Sequence, residues 1–474
     1  MVKRWKVLYL KSELVAKVNK ILIKIFLFLF CFSFTYAQSK EPCNPDDLTV
    51  SKPTRIISSS ENGDKGDVFV YFDQSLSMKG YVVEQPGQKN LYVDVIDDVQ
   101  QIAENIGSDV HYHAFGREIR PLSESKISQV IKPRFYECKG AAVECNNQES
   151  KINEPFEFAE SMPESTHIVV TDLFLADKEL VGGTRKQITK PIKSLLKNGK
   201  SVGIIGVMNS FNGTIFDIPK KDGGTFEYLD AIKRPFYIIV IGDQKNINLI
   251  KKNLEEQQFV DEGDEYKFAL ITSSPVLQNL NENKVITENN IPRVSKNENF
   301  NFDYYDDNFP IYRFNTSKKK NYKLKIDLSD IVVPGSTGIS EYSIKEATWT
   351  SNKVKCKDIN WKKADYKKVS DYEQKDKELV VDLFKYKPLK SLFRGMRYFY
   401  YLDVYAEKPG SASEEIFKEW SIGTSEAENF TNEEPKMFKT LNLVKIIKIL
   451  NSVASDTFEK TLIASIGIDF NLTK

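Results

Sequence analysis

The chain has 474 residues, more than one hydrophobic core ordinarily serves, so two or three domains are expected. Hydrophobic residues make up 41%, enough for real cores, and the 28% of charged residues is spread along the chain rather than gathered into tails. A formal net charge of +1 excludes electrostatic capture of a polyanion as the main activity, and no nucleic-acid partner is expected.

The N-terminus reads as a targeting segment. Basic residues from Lys3 to Lys24 precede an apolar run, Ile25 to Phe34, that ends in Thr35-Tyr36-Ala37-Gln38. Small Ala37 suits signal peptidase, so residues 1–37 are expected to be a signal peptide and Gln38 the first mature residue. A retained membrane anchor is the rival, but the apolar run is about half of the roughly 20 residues a helix needs to cross hydrocarbon. Cys31 follows Phe30 rather than a small residue, which argues against lipoprotein processing. Cleavage removes seven basic side chains and one acidic one, leaving 60 against 65 and a formal charge of −5.

The expected location is the periplasm, the cell surface or the medium of a bacterium, with membrane contact only if the segment is retained. Export also bears on the four remaining cysteines, Cys43, Cys138, Cys145 and Cys356, because an oxidising compartment lets them pair. Cys138 and Cys145 enclose a short span that a disulfide can close; free or differently paired thiols are the alternative, since connectivity cannot be read from sequence. No Cys-x-x-Cys pair or Cys/His cluster offers a thiolate metal site.

Residues 38–65 are a polar linker. From there to about residue 275, apolar strands alternate with helical patterns, which predicts an α/β unit with a doubly wound, mostly parallel sheet. The strands are expected at Val68 to Phe72, Val110 to Phe115, His167 to Thr171, Val202 to Met208 and Phe236 to Ile241. Leu91 to Ile106 carries its apolar residues on one helical face, and Lys186 to Leu196 and Ile247 to Leu254 are shorter helical candidates. The polar, Gly-rich stretch Asn209 to Lys233 is expected to be a long loop at one edge of the sheet.

Over residues 300–424 the pattern changes to separated alternating runs, Tyr322 to Leu328, Tyr342 to Thr350, Leu379 to Phe384 and Tyr398 to Tyr405. These predict an all-β, sandwich-like domain, with Trp349 and Trp420 filling its core. Residues 436–474 are expected to form a C-terminal helical segment. In it Leu441, Val444, Ile447 and Leu450 fall at helical spacing, and a packing helix is favoured over a membrane-surface one.

The informative stretch is Asp67-Val-Phe-Val-Tyr-Phe-Asp73-Gln-Ser75-Leu-Ser77-Met-Lys-Gly80. A buried strand runs straight into a polar turn, at the carboxyl edge where ligands of open parallel sheets collect. One carboxylate and two hydroxyls on a tight turn can supply one side of the oxygen octahedron that Mg²⁺ prefers. The alternative is a turn whose carboxylate and hydroxyls cap the following backbone and need no metal.

At these residues the chain resembles the von Willebrand factor A family, in which D-x-S-x-S ends the first strand and opens a metal-ion-dependent adhesion site. His-Ile-Val-Val-Thr171-Asp172 resembles the family's strand-ending T-D-G. The resemblance covers roughly residues 66–260. It implies that Ser75 and Ser77 touch Mg²⁺ or Mn²⁺ directly, that Asp73 and Asp172 act through waters, and that a protein partner offers a carboxylate to the metal. Two departures stand out: Leu173 replaces the family's glycine, and the loop that supplies a threonine ligand shows no clear G-T. Ser150 lies in the corresponding interval and could substitute by its hydroxyl.

Enzyme readings are weaker. A haloacid-dehalogenase-type phosphatase needs a second acid two residues after the strand-ending aspartate, and Ser75 stands there. Ser75 and Ser77 lack the G-x-S-x-G elbow of a serine hydrolase. His111 and His113 project from one face of a strand but have no third ligand at suitable spacing, and His167 is expected at the far end of its strand from the site. The expected function is therefore an exported binding protein with no catalytic residue, recognising its partner through a metal-dependent site. The alternative is a metal-free scaffold of an envelope assembly.

Overall fold

A computed structural model describes residues 66–83, 90–138, 149–173, 183–216, 225–258 and 266–274, strand segments between 276 and 409, and residues 415–427 and 438–472. The expected signal peptide and linker lie outside the described residues. Among the described residues no helix is long and apolar enough to cross a membrane.

The first unit is a seven-stranded mixed sheet between two layers of helices. In chain order its elements are β1 (Val68–Asp73), α1 (Leu91–Ile106), β2 (Val110–Phe115), β3 (Ile119–Leu122), α2 (Asn153–Ser161), β4 (Thr166–Thr171), α3 (Gly183–Lys197), β5 (Ser201–Ile215), β6 (Phe226–Gly242), α4 (Gln244–Gln258) and β7 (Tyr266–Ile271). The strand order is β3-β2-β1-β4-β6-β5-β7. β1 is an inner strand, lying between β2 and β4 and parallel to both. All six of its residues are buried, as expected of a strand covered on both faces.

The other half of the sheet departs from the doubly wound pattern. β6 is antiparallel to β4 and pairs with β5 in a long hairpin, and β7 closes the edge antiparallel to β5. The stretch expected as a loop, Asn209 to Lys233, is therefore largely strand, and of it only 217–224 lie outside the described residues. Its glycine has a local reason: the β5–β6 register shifts between Phe211 and Gly213, where a bulge tolerates a residue without a side chain. At Gly80, which faces this bulge, an added Cβ would stand 2.3 Å from the Phe211 ring.

α1 and α4 cover one face, burying Val95, Val99 and Ile102 from the first and Ile247, Ile250 and Leu254 from the second. α1 starts where the Asn90 side chain accepts from the Tyr92 and Val93 N–H groups at 3.2 and 3.4 Å, satisfying two otherwise orphaned donors. The other face is covered by α2, α3 and a further helix, α5 (Leu443–Thr457). α5 buries Leu443, Ile446, Ile447, Leu450 and Val453 against α3. Trp420, expected in the sandwich core, instead packs in this layer, where a Cβ on Gly206 of β5 would meet its Cζ3 at 2.8 Å.

The later strands form a six-stranded sheet, in the order Phe300–Asp306, Phe309–Thr316, Thr461–Leu472, Arg397–Pro409, Ile339–Ser351 and Lys362–Ala364. A four-stranded sheet runs Asp371–Lys375, Glu378–Leu383, Tyr322–Asp327 and Arg293–Val294. Pairings are antiparallel except that of Phe309–Thr316 with Thr461–Leu472. The C-terminal segment expected to be helical thus ends in a strand at the middle of this sheet. The Trp349 side chain lies outside the described residues.

Candidate functional site

β1 ends at Asp73 and the chain turns into a short 3-10 helix, Leu76–Tyr81. Gln74 fastens the turn, its N–H donating to the Phe115 carbonyl at 2.8 Å and its Nε2 to the Phe135 carbonyl at 3.0 Å. The Asp73 carboxylate faces inward, fully buried, and collects three donors. The Ser75 N–H reaches Oδ1 at 2.8 Å, and the hydroxyls of Ser150 and Thr171 reach Oδ2, each at 2.7 Å. The Ser75 hydroxyl makes no bond to the backbone of the following turn and lies instead 2.9 Å from that of Ser77. The backbone-capping role is therefore filled by Asp73 and not by Ser75.

Asp172 follows β4 on the neighbouring strand and raises the Asp73 pKa by its charge. Burial and that charge push the Asp73 carboxyl up to about 6, against the pull of its three hydrogen bonds. Leu173, which follows Asp172, has a φ of +50°, in the left-handed region that glycine adopts most easily, and its N–H donates to the Thr171 hydroxyl at 3.1 Å. That conformation costs a residue with a Cβ roughly 1–2 kcal/mol. Burial of the Leu173 side chain in the core beside α3 offsets the cost.

Arg234, on β6, is the residue that sequence reasoning missed. Its Nη2 donates to Asp172 Oδ2 at 2.9 Å, with both side chains at most 3% exposed. The guanidinium is flanked by the Phe211 ring at 4.8 Å and the Tyr81 ring at 5.7 Å, and the Tyr81 hydroxyl donates to the Pro235 carbonyl at 2.7 Å. Stacking on aromatic faces and pairing to a carboxylate offset part of the cost of burying the charge. Thr171, in the strand-ending motif, adds a ligand of Asp73 that the local sequence pattern does not announce.

The structure thus brings Asp73, Ser75, Ser77 and Ser150 together through hydrogen bonds and sets Asp172 beside them. Whether the set fits a divalent cation depends on charge as well as shape. The 2.9 Å between the serine hydroxyls matches an edge of an octahedron with bonds of about 2.1 Å. The charges match less well: the Asp172 carboxylate is already paired with the Arg234 guanidinium, so a dication would have to compete with that buried cation for it. Among the described residues no three His, Cys, Asp or Glu side chains converge on a point where a metal could sit. With Arg234 in place the donor set does not fit Mg²⁺ or Mn²⁺.

The three histidines lie together on the α2 side of the sheet. Phe69 stacks between His111 and His167, with centroids at 4.7 and 5.2 Å, and Tyr71 stacks on His113 at 5.3 Å. His167 Nε2 lies 3.0 Å from the Met162 carbonyl, which can only accept, so that nitrogen carries the proton. Nδ1 then accepts from the Tyr71 hydroxyl, also at 3.0 Å. Burial lowers the His167 pKa to about 4. Cys138 is disulfide-bonded, and its partner lies outside the described residues, as does most of the 138–145 segment.

No protein-family model matches the chain, and neither a curated protein nor a solved structure matches it.

Proposed function

We propose that the chain is an exported binding protein whose first unit is a von Willebrand factor A-like module working without a divalent cation. The observation that carries this reading is the buried Arg234–Asp172 pair, which puts a permanent positive charge beside the carboxylate that a metal would otherwise serve. The strand-ending Asp73 turn, the Thr171-Asp172 strand end and the left-handed Leu173 support the family resemblance. The disulfide at Cys138 supports an oxidising compartment. The β-rich second part serves as spacer or further contact surface, and the proposal includes no chemical step.

Calorimetric titration of the full chain with Mg²⁺ and Mn²⁺ tests this. The expected result is no saturable binding at millimolar metal. A second reading, metal-dependent adhesion, is favoured by the Ser75–Ser77 spacing alone. Saturable binding that disappears in Asp73→Ala and Ser75→Ala would establish it and overturn the first.

A further inference from the structure

A second concave feature lies away from Asp73, between the β2–β3 hairpin and α2. It is an open cleft of about 580 Å³. The Lys151 N–H donates to the Gly116 carbonyl at 2.8 Å, which ties the start of α2 to the hairpin and fixes the two walls relative to one another. The apolar lining is Ile119 and Pro121 on the hairpin, the His113 ring and Phe158 on the helix. Phe158 makes ring contacts to Phe69 and His113, with centroids at 5.4 and 6.0 Å, which hold it against the sheet.

The polar lining is anionic. Glu118 already holds Arg120, 2.6 Å away, but Glu154 and Glu157 have no cationic partner among the described residues. Glu157 accepts only the Asn153 amide, at 3.2 Å. Glu154 sits in the first turn of α2, near the positive end of the helix dipole. Burial holds the His113 imidazole below its ordinary range, so it adds no opposing charge at neutral pH. Its Nδ1 is buried with no hydrogen-bond partner among the described residues.

A ligand suited to these walls has an apolar stem and a positively charged head that donates hydrogen bonds. Lysine and arginine side chains have both. We propose that this cleft binds a basic side chain of a protein partner, with Phe158 and Ile119 against the methylenes and Glu154 and Glu157 against the ammonium or guanidinium. The inference rests on the binding-protein reading only for the partner being a protein. It is independent of the metal question, since no residue of the Asp73 cluster takes part.

The test uses the full chain and the tripeptide acetyl-Gly-Lys-Gly-amide, followed by saturation-transfer NMR, with its arginine and norleucine analogues and spermidine as comparisons. The lysine and arginine peptides should bind and the norleucine peptide should not. Glu154→Gln and Glu157→Gln should each weaken binding about threefold and together about tenfold, the range of partly exposed ion pairs. Glu256→Gln, the same charge change on α4 across the sheet, should leave binding unaltered. Equal binding of the norleucine peptide, or wild-type affinity in the double variant, would overturn the proposal. Spermidine binding tighter than either peptide would do so too, by pointing to a free polyamine. A failure here leaves the metal titration unaffected, so the two readings fail separately.

Discussion

Replacing Arg234 with methionine keeps most of the volume between Phe211 and Tyr81 but leaves the Asp172 carboxylate buried without its countercharge. Arg234→Met should cost about 3–5 kcal/mol, read as a shift of the urea midpoint, and Asp172→Asn in the same chain should recover much of it. Leu173 gives a test with an unusual order. Alanine and glycine both forfeit the buried side chain, but only glycine relieves the left-handed backbone, so Leu173→Gly should be more stable than Leu173→Ala by about 1 kcal/mol. Two buried groups oppose each other in their pH dependence. Asp73 has a folded pKa raised from 3.8 to about 6, so its contribution is fully present below the lower value and is lost as pH rises through the upper. His167 has a folded pKa lowered from 6.5 to about 4, so its contribution is present above the upper value and is lost as pH falls. Between those limits the two slopes offset one another. Relative to wild type, Asp73→Asn should lose stability on acidification at about 1.4 kcal/mol per pH unit, and His167→Gln should gain it. Denaturation midpoints at several pH values would show whether the variants diverge in opposite directions. Asp73, Ser75, Ser77 and Asp172 were legible because a strand-ending acid followed by hydroxyls is a local pattern. Arg234 was not, since its meaning depends on β6 lying beside β4, a pairing between residues far apart in sequence.

At the scale of elements, the buried parallel strands and α1 carried strong local signals. The boundaries of α1 coincide with the apolar periodicity, β1 and β4 read directly from apolar runs, and β2 reads from apolar residues interleaved with His111 and His113. The β5–β6 hairpin did not, because its outer half carries Asn209, Asn212 and Gly213, whose polarity and small size imitate a loop. Asn209 is in fact a buried tie, its Oδ1 accepting the Leu91 N–H at 3.1 Å and its Nδ2 donating to Asn90 at 3.2 Å. Trp420 was misplaced for a related reason: an aromatic residue announces burial but not against which layer. Gly206 on β5 tests the observed placement. A Cβ there meets both Trp420 and Phe417, so Gly206→Ala should cost about 1–3 kcal/mol through overpacking. If Trp420 packed elsewhere the same change would be near neutral, and thermal unfolding of the single variant distinguishes the outcomes.

For the whole molecule, the expected indifference to divalent metal means that chelation should not lower the melting temperature, whereas a structural cation would couple its binding energy to folding. The largest consequence comes from the path of the C-terminal segment. α5 fills the face of the first sheet beside α3, and Thr461–Leu472 then pairs at the middle of the six-stranded sheet. Leu443, Ile447 and Leu450 are thus synthesised hundreds of residues after the strands they cover. Until they emerge, the apolar surface of β4, β5 and α3 has no lid, and the six-stranded sheet lacks an inner strand. Domains ordinarily fold as each leaves the ribosome. Here neither layer is complete before α5 and Thr461–Leu472 are made, so the growing polypeptide should stay unlocked until then. A chain that must be threaded unfolded through a narrow channel would gain time from that delay, and protease protection of β1 should arise only once residues beyond 457 are present.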